Sequence, residues 1–160
     1  MPDLIPTYSV FVYPALIEMS DPIASPNEYL VSFRDVPEAI TGGSSLSESL
    51  DLAVDALAIA IDGYLVEGRP VPEPSPARPG EHLVPLSLDV AARAVLIGEM
   101  ARQSISGRAL AERMARDEKN VRRILAGAAS LDLTLEALQA LGVRPTLSVQ
   151  PRPAEPLLAA

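Results

Sequence analysis

Apolar and polar residues alternate along the first part of the chain in a pattern typical of β-strands. The segment 7–19, TYSVFVYPALIEM, is rich in β-branched and aromatic residues, which favour a pleated sheet. Pro14 has no backbone N–H, so we expect an edge or a break there. The segment 28–33, EYLVSF, predicts a second strand, paired antiparallel with the first. The turn-rich segment 20–27 predicts a loop, and a short third strand is expected near residues 38–41.

A helical apolar period replaces this alternation after residue 45. Ser45 and Glu48 have the spacing of a capping box, in which a serine oxygen and a glutamate satisfy free amides of the first turn. Gly68 and the prolines behind it end the helix. The apolar stripe consists of Leu46, Leu50, Ala53, Val54, Leu57, Ile61, Tyr64 and Leu65. Three or four strands covered on one face by a single helix predict a compact α+β unit.

A proline-rich segment divides the chain. Residues 70–80, PVPEPSPARPG, predict an extended, semi-rigid connector, and residues 82–88, HLVPLSL, predict one more strand. We therefore expect two domains, at residues 1–80 and 81–149, followed by a flexible tail at 150–160. The strand at 82–88 either belongs to the second domain or packs on the first.

The rest of the chain has the apolar spacing of helices up to Gly142. The first of them begins at Ser87 or Asp89 and ends at residues 104–107. Its predicted buried side consists of Val90, Ala94, Ile97 and Ala101. Three shorter helices are predicted at residues 107–115, 117–126 and 133–141. Residues 146–149 alternate again and predict a terminal strand, paired either within the chain or with a second copy.

Composition narrows the classes of function. The chain has 160 residues, no cysteine and one histidine, His82. The absence of cysteine excludes a disulfide framework and a cysteine zinc site, and one histidine leaves little room for metal binding. We expect neither a metal nor a cofactor. No apolar run approaches a membrane span and no signal peptide is evident, so the expectation is a soluble cytoplasmic protein.

Charge is divided unevenly between the two halves of the chain. Residues 1–86 hold 13 acidic and 3 basic side chains, whereas residues 87–160 hold 8 acidic and 10 basic ones. The acidic half should repel nucleic acid and attract a basic partner, and the other half should do the reverse.

Five of the thirteen basic residues lie within residues 110–127, which have the pattern of a helix-turn-helix. Small or apolar residues occupy the positions where two short helices would cross: Leu110, Ala111, Met114, Ala115, Val121, Ile124 and Leu125. Position 115 is alanine where glycine is usual in the turn, and Arg116 stands where a small apolar residue is common. A charged stripe opposite an apolar one also suits any amphipathic surface helix.

The outward residues of the second short helix would meet the major groove of DNA. The predicted DNA-binding residues are Arg108, Arg116, Lys119, Asn120, Arg122 and Arg123. Asn120 suits an adenine edge and an arginine suits guanine, whereas Lys119, Arg108, Arg113 and Arg116 suit phosphate contacts. Asp117 and Glu118 either stabilise the helix N-terminus or read cytosine.

With both halves considered, the chain resembles the HicB family of antitoxins that carry a C-terminal helix-turn-helix. That family has paired strands, a pattern close to Y-x-V-x-F-x-D-x-P followed by T-x-G-x-S/T-x-x-E, a long helix and a glycine- and proline-rich exit. The matching residues are Tyr29, Val31, Phe33, Asp35, Pro37, Thr41, Gly43, Ser45, Glu48, Gly68, Pro70, Pro72 and Pro74. The second half matches over residues 85–149. Glu38 and Ala39 replace the more frequent Gly-Cys, and residues 23–27 lengthen the first hairpin.

The resemblance implies a partial ribonuclease H-like first domain that binds and blocks HicA, a small basic RNA-cleaving toxin. It also implies that the second domain binds double-stranded operator DNA of its own operon, as a homodimer or homotetramer. The charge division fits, because an RNA-cleaving protein must be basic to hold phosphates. The candidate toxin-binding residues are Asp35, Glu38, Asp51, Asp55 and Asp62. Each is equally well explained as part of a solvated acidic surface.

Two other classes of function stay open at this point. One is a stand-alone helix-turn-helix transcription regulator whose first domain senses a ligand or oligomerises. The other is a metal-dependent nuclease, which needs several carboxylates that converge on two ions. The acids of the first half are scattered over loops and the outer face of the long helix, and no nucleophile–base pair is evident. We therefore predict no catalytic residue and a protein that is not an enzyme.

Overall fold

The computed structural model describes residues 11–20 and 28–146 and has the mixed α+β fold expected from the sequence. In those residues the elements are β1 (Val12–Met19), β2 (Tyr29–Phe33), β3 (Ile40–Gly43), α1 (Leu46–Val66), β4 (Glu81–Pro85), α2 (Leu88–Arg102), α3 (Gly107–Arg113), α4 (Glu118–Leu125) and α5 (Leu131–Ala140). The loop predicted at 20–27, the terminal strand at 146–149 and the tail at 150–160 fall almost entirely outside the described residues.

The four strands form one antiparallel sheet in the order β3-β2-β1-β4. β1 pairs with β2 from Ala15↔Phe33 to Met19↔Tyr29, as the alternation of the two segments predicts. On its other side β1 pairs with β4 from Val12↔Pro85 to Leu16↔Glu81. The strand that follows the proline-rich segment therefore completes the sheet of the first half.

The prediction that Pro14 marks an edge or a break is wrong, since β1 is an inner strand and continues through it. Leu86 N donates to Phe11 O at 2.8 Å, and the alternation of an antiparallel ladder then makes Pro14–Leu83 a non-hydrogen-bonded pair. The side of Pro14 that lacks an N–H therefore faces β2. The ladder between β1 and β2 begins only at the next residue, so no ladder bond is lost there.

α1 begins and ends at the predicted signals. Ser45 Oγ accepts a hydrogen bond from Glu48 N at 3.2 Å, and Ser44 N donates to the Glu48 carboxylate at 2.8 Å. The reciprocal bond of the capping box is thus made one residue earlier than in the standard motif. Gly68, with a φ of +68°, ends the helix in the left-handed region that suits glycine.

The first hydrophobic core lies between α1 and the sheet. α1 buries Ala53, Leu57, Ile61 and Tyr64 against the sheet residues Tyr13, Ala15, Val31, Phe33 and Val84. The proline-rich segment is attached to this unit: Tyr13 Oη donates to Pro72 O at 2.7 Å, and Ser75 Oγ donates to Asp35 at 2.7 Å. Burial, together with the nearby Asp35 charge, raises the pKa of Tyr13 to about 12. The segment therefore packs along the first core before it enters β4.

The predicted buried stripe of α2 is correct only in its first half. Val90 and Ala94 are buried, but Ala101 is exposed and Leu96 is fully buried instead. Val90 belongs to the first core and Leu96 to the second, so the buried face of α2 changes along its length. A single apolar stripe cannot describe a helix that contacts two cores on different sides.

The second core is formed by the end of α2 together with α3, α4 and α5. Its buried residues are Leu96, Leu110, Ala111, Met114, Val121, Ile124, Ala137, Leu138 and Leu141. Of the residues predicted to lie between the two short helices, Leu110, Ala111, Met114, Val121 and Ile124 are buried there, whereas Leu125 is half-buried and Ala115 is exposed. Ala115, in the connection between α3 and α4, has a φ of +51°, a conformation that favours glycine.

Arg93 of α2 lies where the two halves of the chain meet. Its side chain is only 6% exposed and forms an ion pair with Asp62 of α1. A side chain at Gly127, between α4 and α5, would overlap the Arg93 guanidinium. Burial lowers the pKa of Arg93. This arginine therefore contacts α1 on one side and the connection behind α4 on the other.

We expect Ala115→Gly to raise the free energy of unfolding by about 0.5–1 kcal/mol, because the left-handed conformation costs about 1–2 kcal/mol for a residue with a Cβ. Urea denaturation measures the change. The matched control is Ala109→Gly within α3, which should lower stability by about 1 kcal/mol. Equal losses in the two variants would contradict the strain at position 115.

We expect Asp62→Ala to lower the free energy of unfolding by about 2–3 kcal/mol, because it leaves the buried Arg93 charge unpaired; the loss stays moderate because Asp62 is partly exposed. Asp55→Ala, on the same helix, should change stability by less than about 0.5 kcal/mol. Adding Arg93→Met to Asp62→Ala should recover part of the loss. No recovery in this double variant would contradict the ion pair as the cause.

Candidate functional site

Two short helices and a tight connection form the basic surface of the second half. α3 begins at Ser106, whose Oγ accepts from Ala109 N at 3.2 Å, and its backbone leaves the helix at Met114. α4 begins after Asp117, whose side chain makes no capping bond. α4 packs through Val121 and Ile124, so its opposite face lies on the surface.

The outward face of α4 carries most of the predicted DNA-binding residues. Lys119, Arg122 and Arg123 are exposed, and Asn120 is half-buried. Lys119, Arg122 and Arg123 are three and four residues apart and therefore share one face of the helix. In the part of the chain that the structure describes, Lys119 and Arg122 form no ion pair. Their charges are therefore available to an anionic partner.

The other predicted arginines already have partners within the chain. Arg116 donates two hydrogen bonds to the Glu136 carboxylate of α5, at 2.8 and 2.9 Å, and this pairing raises the pKa of Arg116. Arg108 pairs with Glu112 at 3.2 Å within α3. Arg123 donates to Ala128 O at 3.1 Å, behind the end of α4. Among the predicted cations, Lys119 and Arg122 thus form no ion pair within the described residues, whereas Arg108, Arg116 and Arg123 already bond to groups of the fold.

The five predicted toxin-binding carboxylates do not form one cluster, and one of them, Asp62, forms the ion pair with Arg93. Asp35 is 13% exposed, and its carboxylate accepts from both the N–H and the hydroxyl of Ser75. Burial would raise the pKa of Asp35, but the bonds from Ser75 and the charge of Arg34 hold it below its usual value. This carboxylate therefore holds the proline-rich segment in place.

Glu38 and Asp55 line the same groove, between the turn before β3 and the outer face of α1. Glu38 accepts from Tyr64 Oη at 2.7 Å and from Arg69 Nη2 at 3.1 Å, and these bonds, that of Tyr64 above all, lower its pKa. Asp51 is exposed one turn before Asp55 on the same helix.

Glu67 belongs to this groove and was missed in the sequence, although a signal for it was present. Asp55, Ile59, Gly63 and Glu67 recur at intervals of four along α1, so they form one row on its outer face. This second row mixes acidic, apolar and glycine residues, so it lacks the uniform apolar period that marks the buried face.

Neither a metal site nor a membrane-spanning helix appears among residues 11–20 and 28–146. No group of three or more His, Asp or Glu side chains there is placed to hold a metal ion. No helix in these ranges is both long and apolar enough to cross a bilayer. His82 lies in β4 opposite Ala15 of β1.

Comparison with known proteins shows the family to which the chain is similar. Residues 12–95 match the family model described as a HicB-like antitoxin of bacterial toxin–antitoxin systems. The chain is 34% identical over 116 residues to Antitoxin HicB of Escherichia coli K12, covering 71% of this chain and 84% of that one. It is 32% identical over 124 residues to Antitoxin HicB 1 of Photorhabdus laumondii, covering 76% and 79%. Antitoxin HicB 2 of the same organism is 35% identical over 116 residues, covering 71% and 82%. The chain therefore belongs to the HicB-like antitoxin family of bacterial toxin–antitoxin systems.

Proposed function

We propose that this antitoxin binds and neutralises a small basic RNA-cleaving toxin of the HicA type through its acidic first half. We further propose that α3 and α4 form a helix-turn-helix that binds operator DNA and represses the operon. The observation that carries both parts is the division of charge, 13 acidic against 3 basic residues in 1–86 and 8 against 10 in 87–160. The role is one of binding, without catalysis.

Electrostatics supports the neutralising role of the first half. A protein that cleaves RNA needs a cationic surface to hold phosphates, and an acidic partner competes for that surface. Complementary charge also accelerates association and disfavours wrong partners. Of the predicted contacts, Asp35 is engaged by Ser75, Glu38 by Tyr64 and Arg69, and Asp62 by Arg93. Asp51 and Asp55 lie on the exposed face of α1.

The surface of α4 supports operator binding. Arg122 can contact guanine in bidentate fashion, Asn120 can contact adenine, and Lys119 suits a phosphate. One such helix reads only a few base pairs, so a homodimer on a palindromic site, or a homotetramer, is the assembly that we propose. Asp117 and Glu118 precede or open α4, where negative charge stabilises the helix N-terminus.

Neutralisation is tested by co-expressing the full chain with the small basic protein encoded beside it. We expect growth rescue and co-purification, since both require only the acidic half. The Lys119→Ala/Arg122→Ala double variant should rescue growth equally well, because these residues lie on the other half. A neighbouring protein that is neither toxic nor bound would overturn the antitoxin role for this pair.

Operator binding is tested with DNA from upstream of the gene and with random DNA of equal length. We expect Arg122→Ala to lose about 1–3 kcal/mol of discrimination if this arginine reads a base, and Lys119→Ala to weaken both DNAs alike and reduce the salt slope by about 1. Arg123→Ala should have a smaller effect than Arg122→Ala, because Arg123 also bonds to Ala128.

The matched control is Arg78→Ala, which removes an exposed cation from the first half and should leave DNA binding unchanged. Electrophoretic mobility shift at two salt concentrations measures all four variants. Full discrimination by an Arg122→Ala/Arg123→Ala double variant would place recognition outside α4.

A further inference from the structure

The groove between α1 and β3 has an apolar floor that the fold leaves open. Its volume is about 580 Å³. Ile59 of α1 is 75% exposed and Ile40 of β3 is 61% exposed, and both line it. Exposed isoleucines on opposite walls of one groove retain apolar surface that folding has not buried and that a partner could cover.

Gly63 keeps this floor accessible. It lies inside α1 at the middle of the row formed by Asp55, Ile59, Gly63 and Glu67. Glycine within a helix is destabilising relative to alanine, because its backbone loses more conformational freedom on folding. No atom lies within 4 Å of a Cβ placed at Gly63, so packing does not require glycine there. A larger residue would be accommodated by the fold but would occupy the groove.

The rim of the groove is acidic. Glu38, Asp55 and Glu67 line it together with one cation, Arg69. Arg69 is already engaged, since it bonds to Glu38 and Glu67 and lies 3.8 Å above the centre of the Tyr64 ring. Within residues 11–20 and 28–146, Asp55 forms no ion pair. Asp55 therefore places on the rim a carboxylate that no cation of the described residues neutralises through an ion pair.

We propose that this groove is the docking surface for a basic protein segment, which inserts one apolar side chain between Ile40 and Ile59 and sets a Lys or Arg against Asp55. This inference rests on the proposed function, because the toxin is the basic partner to which the segment belongs. The segment packs over Gly63, so that its apolar side chain covers the floor of the groove. Its Lys or Arg then lies against the acidic rim. An apolar centre surrounded by charge is the usual arrangement of a protein interface.

Charge selects this occupant over two others. Nucleic acid would bring phosphates against three carboxylates, which is unfavourable. A second copy of the chain docked symmetrically through the same groove would place this acidic rim on both sides of the interface, so that carboxylates would face carboxylates. A basic segment gains from both the charge and the apolar floor.

The test measures binding of the full chain and its variants to the small basic protein encoded beside it, by biolayer interferometry at two salt concentrations. We expect Ile59→Ala and Gly63→Gln each to weaken binding by about 10-fold or more, as truncation or blockage of an interface centre does. Asp55→Asn should slow association by about 3-fold or more and reduce its salt dependence. The matched controls are Leu83→Ala, which truncates an exposed apolar residue on β4, and Glu18→Gln on β1.

Thermal unfolding of each variant separates docking from folding. Gly63→Gln should keep or raise the Tm while it loses affinity, an outcome that damage to the fold would not produce. If the unaltered chain binds and neutralises the partner but the three groove variants bind equally well, the groove is overturned and the antitoxin role stands. If the unaltered chain does not bind the basic partner, both the proposed antitoxin function and the proposed docking surface are wrong.

Discussion

The ion pair between Arg93 and Asp62 joins the two halves of the chain by a buried charge, beside the packing of Val90 on the first core. Arg93 extends from α2 into a site enclosed by α1 and by the connection between α4 and α5. A buried guanidinium without its carboxylate is strongly destabilising, so this pair resists any rearrangement that separates α1 from the helical half. Gly127 allows the approach, because any side chain there would overlap the arginine.

With this contact, α1 contributes residues to three places: the first core, the ion pair with Arg93, and the groove. Its inner face packs on the sheet through residues such as Leu57 and Ile61, and Asp62 holds Arg93. Its outer face forms a wall of the groove with Ile59 and Asp55. The acidic groove thus belongs to the unit built on the first core, and the basic helix α4 belongs to the unit built on the second. Arg93 lies where these two units meet.

The cations of the second half show how a surface is divided between folding and binding. Arg116 and Glu136 connect the turn before α4 to α5, and Glu99, buried in α2, is held by Arg102 and Gln103. These pairs stabilise the helical unit, whereas Lys119 and Arg122 have no such partner within the described ranges. A count of arginines therefore overstates the charge that this surface can offer to an anionic partner.

The sequence by itself determined the elements whose signals are local. Alternation placed β1 and β2, Ser45 and Gly68 placed the ends of α1, and small and apolar residues placed α3 and α4, because caps, turns and periodic burial act over a few residues. Only the tertiary structure decided what depends on distant partners. β4 joins β1 across about 65 residues of chain, Asp35 meets Ser75, and Arg93 meets Asp62. Such pairings depend on the three-dimensional path of the chain, which local periodicity does not encode.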